Sequence, residues 1–182
     1  VGARYRLEVA PAVGQLSYTT VIADVRRYLM PVRPFTLALR AMHAARYGGD
    51  GSDPRLLPSY LGSSYFVRGH HEDLRYCRPD VTRTCGDELL GNRLLVGNVE
   101  VRFPVWGLLS RQLEYGMFPL DAFLFADGGM ISASAGPRTG ISSIGGGIRA
   151  NASGFPLEVA AVRALDGPKP RWQFDLGFKV GF

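Results

Sequence analysis

Among the residues that could do chemistry, the most crowded group lies mid-chain, where His70 and His71 stand beside Glu72 and Asp73, with Cys77 and Cys85 just beyond. Imidazoles, carboxylates and thiols are metal ligands, but this spacing matches no zinc pattern. The two histidines read instead as solvated loop residues. The cysteines flank a short polar stretch containing Pro79. That spacing favours a local disulfide and hence an oxidising compartment. Gly145-Gly146-Gly147 looks like a phosphate loop only superficially. It falls inside a segment of period-two pattern, where glycine permits curvature or close packing. Arg68 stands between Val67 and Gly69. Its guanidinium could clamp one or two carboxylates, although a surface arginine beside a flexible glycine is the plain alternative. No Gly-x-Ser-x-Gly nucleophile elbow and no His-rich metal motif occurs. The expectation is a protein that is not an enzyme, with no metal and no cofactor.

The elements that would position these residues have a period of two. Trp172, Phe174, Leu176, Phe178, Val180 and Phe182 alternate with Gln173, Asp175, Gly177, Lys179 and Gly181. The same alternation is legible from Tyr5 to Val13, around Val21–Val25, Leu37–Ala41, Val99–Phe103, Leu120–Ala126, Ile144–Ala150 and Leu157–Ala161, blurring at Val162. Eight strands of about ten residues are expected, a length that suits tilted strands crossing a bilayer. Turn residues separate most of them, at Val32-Arg33-Pro34, Asn151–Gly154 and Asp166-Gly167-Pro168. From Gly49 to Asn92 no strand pattern is visible, and a connection of that length is commonly functional.

The chain holds 182 residues, enough for one domain spanning 1–182, and no apolar run is long enough for a transmembrane helix. A closed barrel is then the one structure with which it could span a membrane. The net charge of +5 comes from single Lys and Arg residues scattered through apolar segments, which argues against a nucleic-acid patch. The sequence opens on Val1-Gly2-Ala3 with neither Met nor an export signal, so a mature product or an excised piece is expected.

A soluble sandwich or lipocalin-like barrel would also alternate. Two features weigh against it. The polar face carries Arg4, Arg6, Arg26, Arg40, Arg102, Arg149 and Lys179 with Glu8, Asp24, Glu100, Asp127, Glu158 and Asp175 to pair them. The apolar face is broad and ends in Trp172 and Phe182, as an aromatic girdle would.

With these residues in view, Val67-Arg68-Gly69-His70 resembles the Val-Arg-Gly-aromatic loop motif of the superfamily that includes BamA, TamA and the two-partner secretion transporters, the bacterial surface antigen family. In that family the loop folds back into the barrel lumen and its arginine meets acidic residues on the next two strands. Two matching acids stand here, Glu100 before Phe103-Pro104, and Asp127 in Phe125-Ala126-Asp127-Gly128-Gly129, which is similar to the family's Phe-x-Asp-x-Gly. Ser143 to Phe182 looks like the last three strands, with Trp172, Phe178 and Phe182 in the aromatic C-terminal signal. Some relatives also carry a disulfide in this loop. His70 departs from the family's Phe or Tyr, which would loosen the contact or make it pH-sensitive.

The resemblance covers nearly the whole chain and implies an all-β transmembrane antiparallel barrel in a bacterial outer membrane, with an extracellular loop at 49–92. It implies a role in outer-membrane protein assembly or polypeptide translocation, with a client or secreted polypeptide as partner beside outer-membrane lipid. The alternatives are an anchor barrel for a fused exoplasmic or periplasmic domain and a small structural barrel. Eight strands either close on themselves or form half of a sixteen-stranded wall, completed by a missing N-terminal half or by a second copy in a homodimer. An eight-stranded barrel has room for little beyond its own side chains, so a lumenal loop favours the larger wall. Arg68 is expected within salt-bridge reach of Asp127 and Glu100.

Overall fold

The computed structural model describes residues 1–70, 89–110, 120–133, 137–152, 155–166 and 172–178. Its strands are β1 (Gly2–Ala12), β2 (Tyr18–Val32), β3 (Phe35–Tyr47), β4 (Ser59–Tyr60), β5 (Leu90–Gly91), β6 (Arg93–Pro104), β7 (Leu120–Ser132), β8 (Arg138–Ala152), β9 (Phe155–Ala164) and β10 (Trp172–Phe178). One short helix, α1 (Val105–Ser110), follows β6. Eight strands form one antiparallel sheet in the order β1-β2-β3-β6-β7-β8-β9-β10, and β4 pairs with β5 in a separate ribbon. Among the described residues no helix is long and apolar enough to cross a membrane.

All eight alternating segments contribute strands to the main sheet, the last of them described as far as Phe178. Three corrections concern boundaries. Val13 lies beyond the end of β1. The stretch from Gly49 to Asn92 holds the two-residue strands of the ribbon. The helix after Pro104 was not expected, because six residues are too few to display a helical period. Of the two forms expected, one is set aside. The small self-closed barrel is not the form adopted, because β1 and β10 are the two edges of an open sheet.

The register fixes which residues share a face. Reading across the sheet, Arg40, Asn98, Asp127, Ser143 and Ala164 form one row, and Ala38, Glu100, Phe125, Gly145 and Val162 form the next. A third row runs Thr36, Arg102, Phe123, Gly147, Ala160 and Asp175. This face is the buried one. Asp24, Arg40, Glu100, Asp127, Glu158 and Asp175 are all buried on it, mixed with Phe123, Phe125 and Val162. Val162, where the pattern blurs, belongs to this face and packs with Phe123, Phe125 and Ala160.

The opposite face presents Leu95, Val99, Leu124, Ile144, Ile148, Val159, Trp172 and Leu176, all exposed. Phe174 is 85% exposed while Glu100 is 1% exposed. These six charged side chains are covered and these apolar ones are bare, the reverse of the usual arrangement at a water-facing surface. At the β1 edge even this order lapses, since Gly2 to Pro11 are exposed on both faces.

Candidate functional site

The site is built where the loop after β3 lies on the charged face of the sheet. Val67 enters an apolar layer with Leu61, Leu94, Val96, Ile131 and Ile141. Phe66 packs at its margin. Two side chains of the sheet hold the loop backbone just upstream. Asn98 Nδ2 donates to the Phe66 carbonyl at 2.8 Å, and Arg40 NH1 to the Tyr65 carbonyl at 3.3 Å. The Arg40 guanidinium also lies 4.7 Å from the Tyr65 ring centre and donates to Asp24.

Arg68 follows Val67 and points into the rows below. Its Nε and NH2 donate to the two oxygens of Asp127 at 2.6 and 2.9 Å, and its backbone N–H reaches Oδ2 at 3.2 Å. NH1 donates to Glu100 Oε2 at 2.5 Å. One planar fork thus bridges two acids on adjacent strands, a task the single ammonium of lysine cannot do. Beneath it the Phe125 ring lies 3.6 Å from the guanidinium carbon, a buried cation–π contact.

Glu100 is the hub of the network. Its other oxygen accepts from Arg102 Nε at 2.6 Å and lies 3.4 Å from Arg149, which in turn donates to Glu158 at 2.6 Å. A buried carboxylate without such partners would carry a large desolvation cost. Here three guanidiniums offset it.

Glycines make the fit. Gly69 has φ of +79°, and a Cβ there would stand 2.5 Å from Val162 Cγ1. Gly129 leaves room for the loop, since its Cβ would meet Leu61 Cδ1 at 2.5 Å and Val67 Cγ2 at 3.1 Å. Phe125, Asp127 and Gly129 are therefore three successive positions on one face: a ring to stack, a carboxylate to clamp and a gap to fill. Gly145 and Gly147 sit opposite Phe125 and Phe123 and leave space for those rings.

Neither a family model nor a curated protein matches this chain. The reading of the site therefore rests on its own geometry.

The residues singled out in the sequence fall into three sets. Val67, Arg68, Gly69, Glu100, Phe125, Asp127 and Gly129 come together as described. His70 is a correction. It is buried rather than solvated, and its Nε2 lies 3.3 Å from the Ser142 carbonyl. The loop turns inward at Gly69 and carries the imidazole with it. Trp172 is exposed on the apolar face, and Phe178 is the last residue of β10, in register with Leu157. His71, Glu72, Asp73, Cys77, Cys85, Lys179 and Phe182 lie outside the described residues. The expected disulfide is among them. No metal-binding group occurs among the described residues.

Asn98, Phe123 and Tyr65 were not singled out for the site. Asn98 stood on the polar face, but an acceptor on the loop backbone leaves no trace in sequence. Near the rim, Arg55 donates from its side chain and its backbone to Asp53, which holds that exposed carboxyl down at about 2.

Proposed function

We propose that this sheet is part of a transmembrane β-barrel of a BamA-like protein in a bacterial outer membrane. Its face bearing Leu124 and Leu176 meets lipid and its charged face lines the lumen. The Val67–His70 segment is a plug clamped to the inner wall. The role that fits this reading is help in assembling outer-membrane proteins or in translocating a polypeptide.

The observation that carries the reading is the Arg68 fork on Asp127 and Glu100, held beneath a loop, on a sheet whose other face is apolar and bare. A buried ion network of this kind is weak evidence of stability. It suits a loop that must keep one position inside a hydrated lumen. Lipid is an environment in which Phe174 and Leu176 stand exposed without the cost that water imposes.

The test uses vesicles of outer-membrane lipid carrying the full chain. A denatured client barrel protein is diluted into them, and its folding is followed by protease protection. Faster client folding than in empty vesicles is the expected result. An inserted, protease-protected chain that leaves client folding unchanged would overturn the assembly role and favour a membrane anchor.

A further inference from the structure

The apolar face is not uniform. Register pairs Arg93 with Ser132 and Ser132 with Arg138, so two arginines flank one serine in a single row at the loop end of β6, β7 and β8. The next row on that face is Leu95, Met130 and Gly140, and the one after is Gly97, Gly128 and Ser142. These small residues leave a shallow groove of about 410 Å³ lined by Leu95, Gly97, Gly128, Met130, Gly140 and Asp166. Below it the face becomes bulky again at Val99 and Ile144.

The charges are placed at one end of the groove. Strands lie about 4.8 Å apart, so Arg93 and Arg138 have backbones roughly 10 Å from each other. Two side chains of this length can close on one anion above Ser132. Both are exposed, and among the described residues neither is in an ion pair. Arg93 rests over the Tyr47 ring at 5.2 Å on the β3 side, so it swings off that ring to meet an anion above Ser132. A third arginine, Arg163, is paired with Ile144 on the neighbouring strand, and its Nε is buried with no hydrogen-bond partner. Among the described residues that line the groove the one carboxylate is Asp166, which accepts from the backbone N–H and the hydroxyl of Ser142, at the deeper row.

We propose that this face of β6–β8 binds a phosphate-bearing acyl lipid, with its phosphate between Arg93 and Arg138 and an acyl chain in the Gly97–Gly128–Gly140 groove. The inference rests on the membrane reading and adds a specific lipid site to it. Charge complementarity selects an anionic headgroup, since a second cation on the lipid would be repelled by the arginine pair. Shape selects the chain. Leu95 and Met130, paired in one row, wall one end of a depression that Gly97, Gly128 and Gly140 make, and an acyl chain fills such a depression better than water does.

The full chain is inserted into nanodiscs of phosphatidylcholine containing a small fraction of spin-labelled phosphatidylglycerol. The immobilised fraction of label is then read. Expected is a preference for phosphatidylglycerol over labelled phosphatidylcholine of about 10- to 30-fold. Arg93→Gln with Arg138→Gln should remove that preference. Gly97→Leu should reduce immobilisation of both lipids; a Cβ at Gly97 meets nothing within 4 Å, so this variant fills the groove without disturbing the fold. Added inorganic phosphate should compete only weakly, because it lacks the chain. Equal immobilisation of the two lipids by inserted protein, or an unchanged preference in the double variant, overturns the lipid site and leaves the membrane reading standing. Failure of the wild-type chain to insert at all counts against the membrane reading itself.

Discussion

Arg68 is the residue on which the loop turns, and its replacement separates charge from shape. Arg68→Ala leaves Asp127 and Glu100, diagonal neighbours on adjacent strands, without their shared partner, with Arg102 and Arg149 neutralising only the latter. Breaking a buried pair by removing one partner costs about 3–5 kcal/mol. The expected result is early proteolysis of the loop while the sheet still resists. Arg68→Lys keeps the charge but can satisfy only one acid, so it should fall between wild type and alanine. A double-mutant cycle of Arg68→Ala with Asp127→Asn should return a coupling of about 1 kcal/mol or more; additive effects would mean the pair is not engaged. Gly69→Ala tests the geometry alone. Its positive φ and the approach to Val162 Cγ1 predict a loss above the roughly 1 kcal/mol of backbone strain by itself, read as earlier loop cleavage. These contacts were legible in the sequence in two steps: alternation put Glu100 and Asp127 on the polar faces of their strands, and the resemblance of Val67-Arg68-Gly69 to the loop motif implied Arg68 as their partner. The anchors at Asn98 and Arg40 were not, because their acceptors are the backbone carbonyls of Phe66 and Tyr65.

At the scale of elements, β7 and β8 interlock through size. A Cβ at Gly145 would stand 2.4 Å from the Ala161 carbonyl oxygen and 2.6 Å from Phe125 Cζ. Gly145→Val must therefore push the ring that supports Arg68 or part β8 from β9. Overpacking of this kind costs roughly 1–3 kcal/mol or more. The expected outcome is a lower unfolding midpoint together with a loosened loop. Gly97→Ala, on the opposite face with open space around it, serves as the control and should change stability by no more than about 0.5 kcal/mol. Period two made the main strands legible, since a face of apolar residues against a face of charges leaves one register open to each. What it could not reveal were elements shorter than the period needs. The β4–β5 ribbon has two residues per strand, and α1 has six in all. Each is held by its surroundings rather than by its own pattern. Gly91 lies against Ser132 and Ile131, where any side chain would collide.

For the whole molecule the decisive feature is the pair of open edges. Strand directions alternate across an even number of main-sheet strands, so β1 and β10 run opposite ways. An antiparallel pair is therefore the natural seam, but among the described residues β1 and β10 are not paired with each other within one copy. Unpaired backbone N–H and C=O groups facing hydrocarbon cost several kcal/mol each. In water the same edges would recruit other chains. On the barrel reading proposed above, completion comes from outside the eight strands, either from further strands of a longer chain or from a second copy related by two-fold symmetry. The side chains at the edges suit such a seam. Tyr5, Leu7 and Val9 carry the apolar face to one edge, and Trp172, Phe174 and Leu176 carry it to the other, while Arg4, Arg6 and Glu8 continue the charged face. Amide hydrogen exchange of the full chain in a bilayer reads the outcome directly. Peptides from Gly2–Ala12 and Trp172–Phe178 should be protected as strongly as those from β6 and β7. If a second copy supplies the seam, Leu7→Cys with Leu176→Cys should cross-link between chains and not within one. Rapid exchange along both edges in membrane-inserted protein would be incompatible with any closed wall built on this sheet.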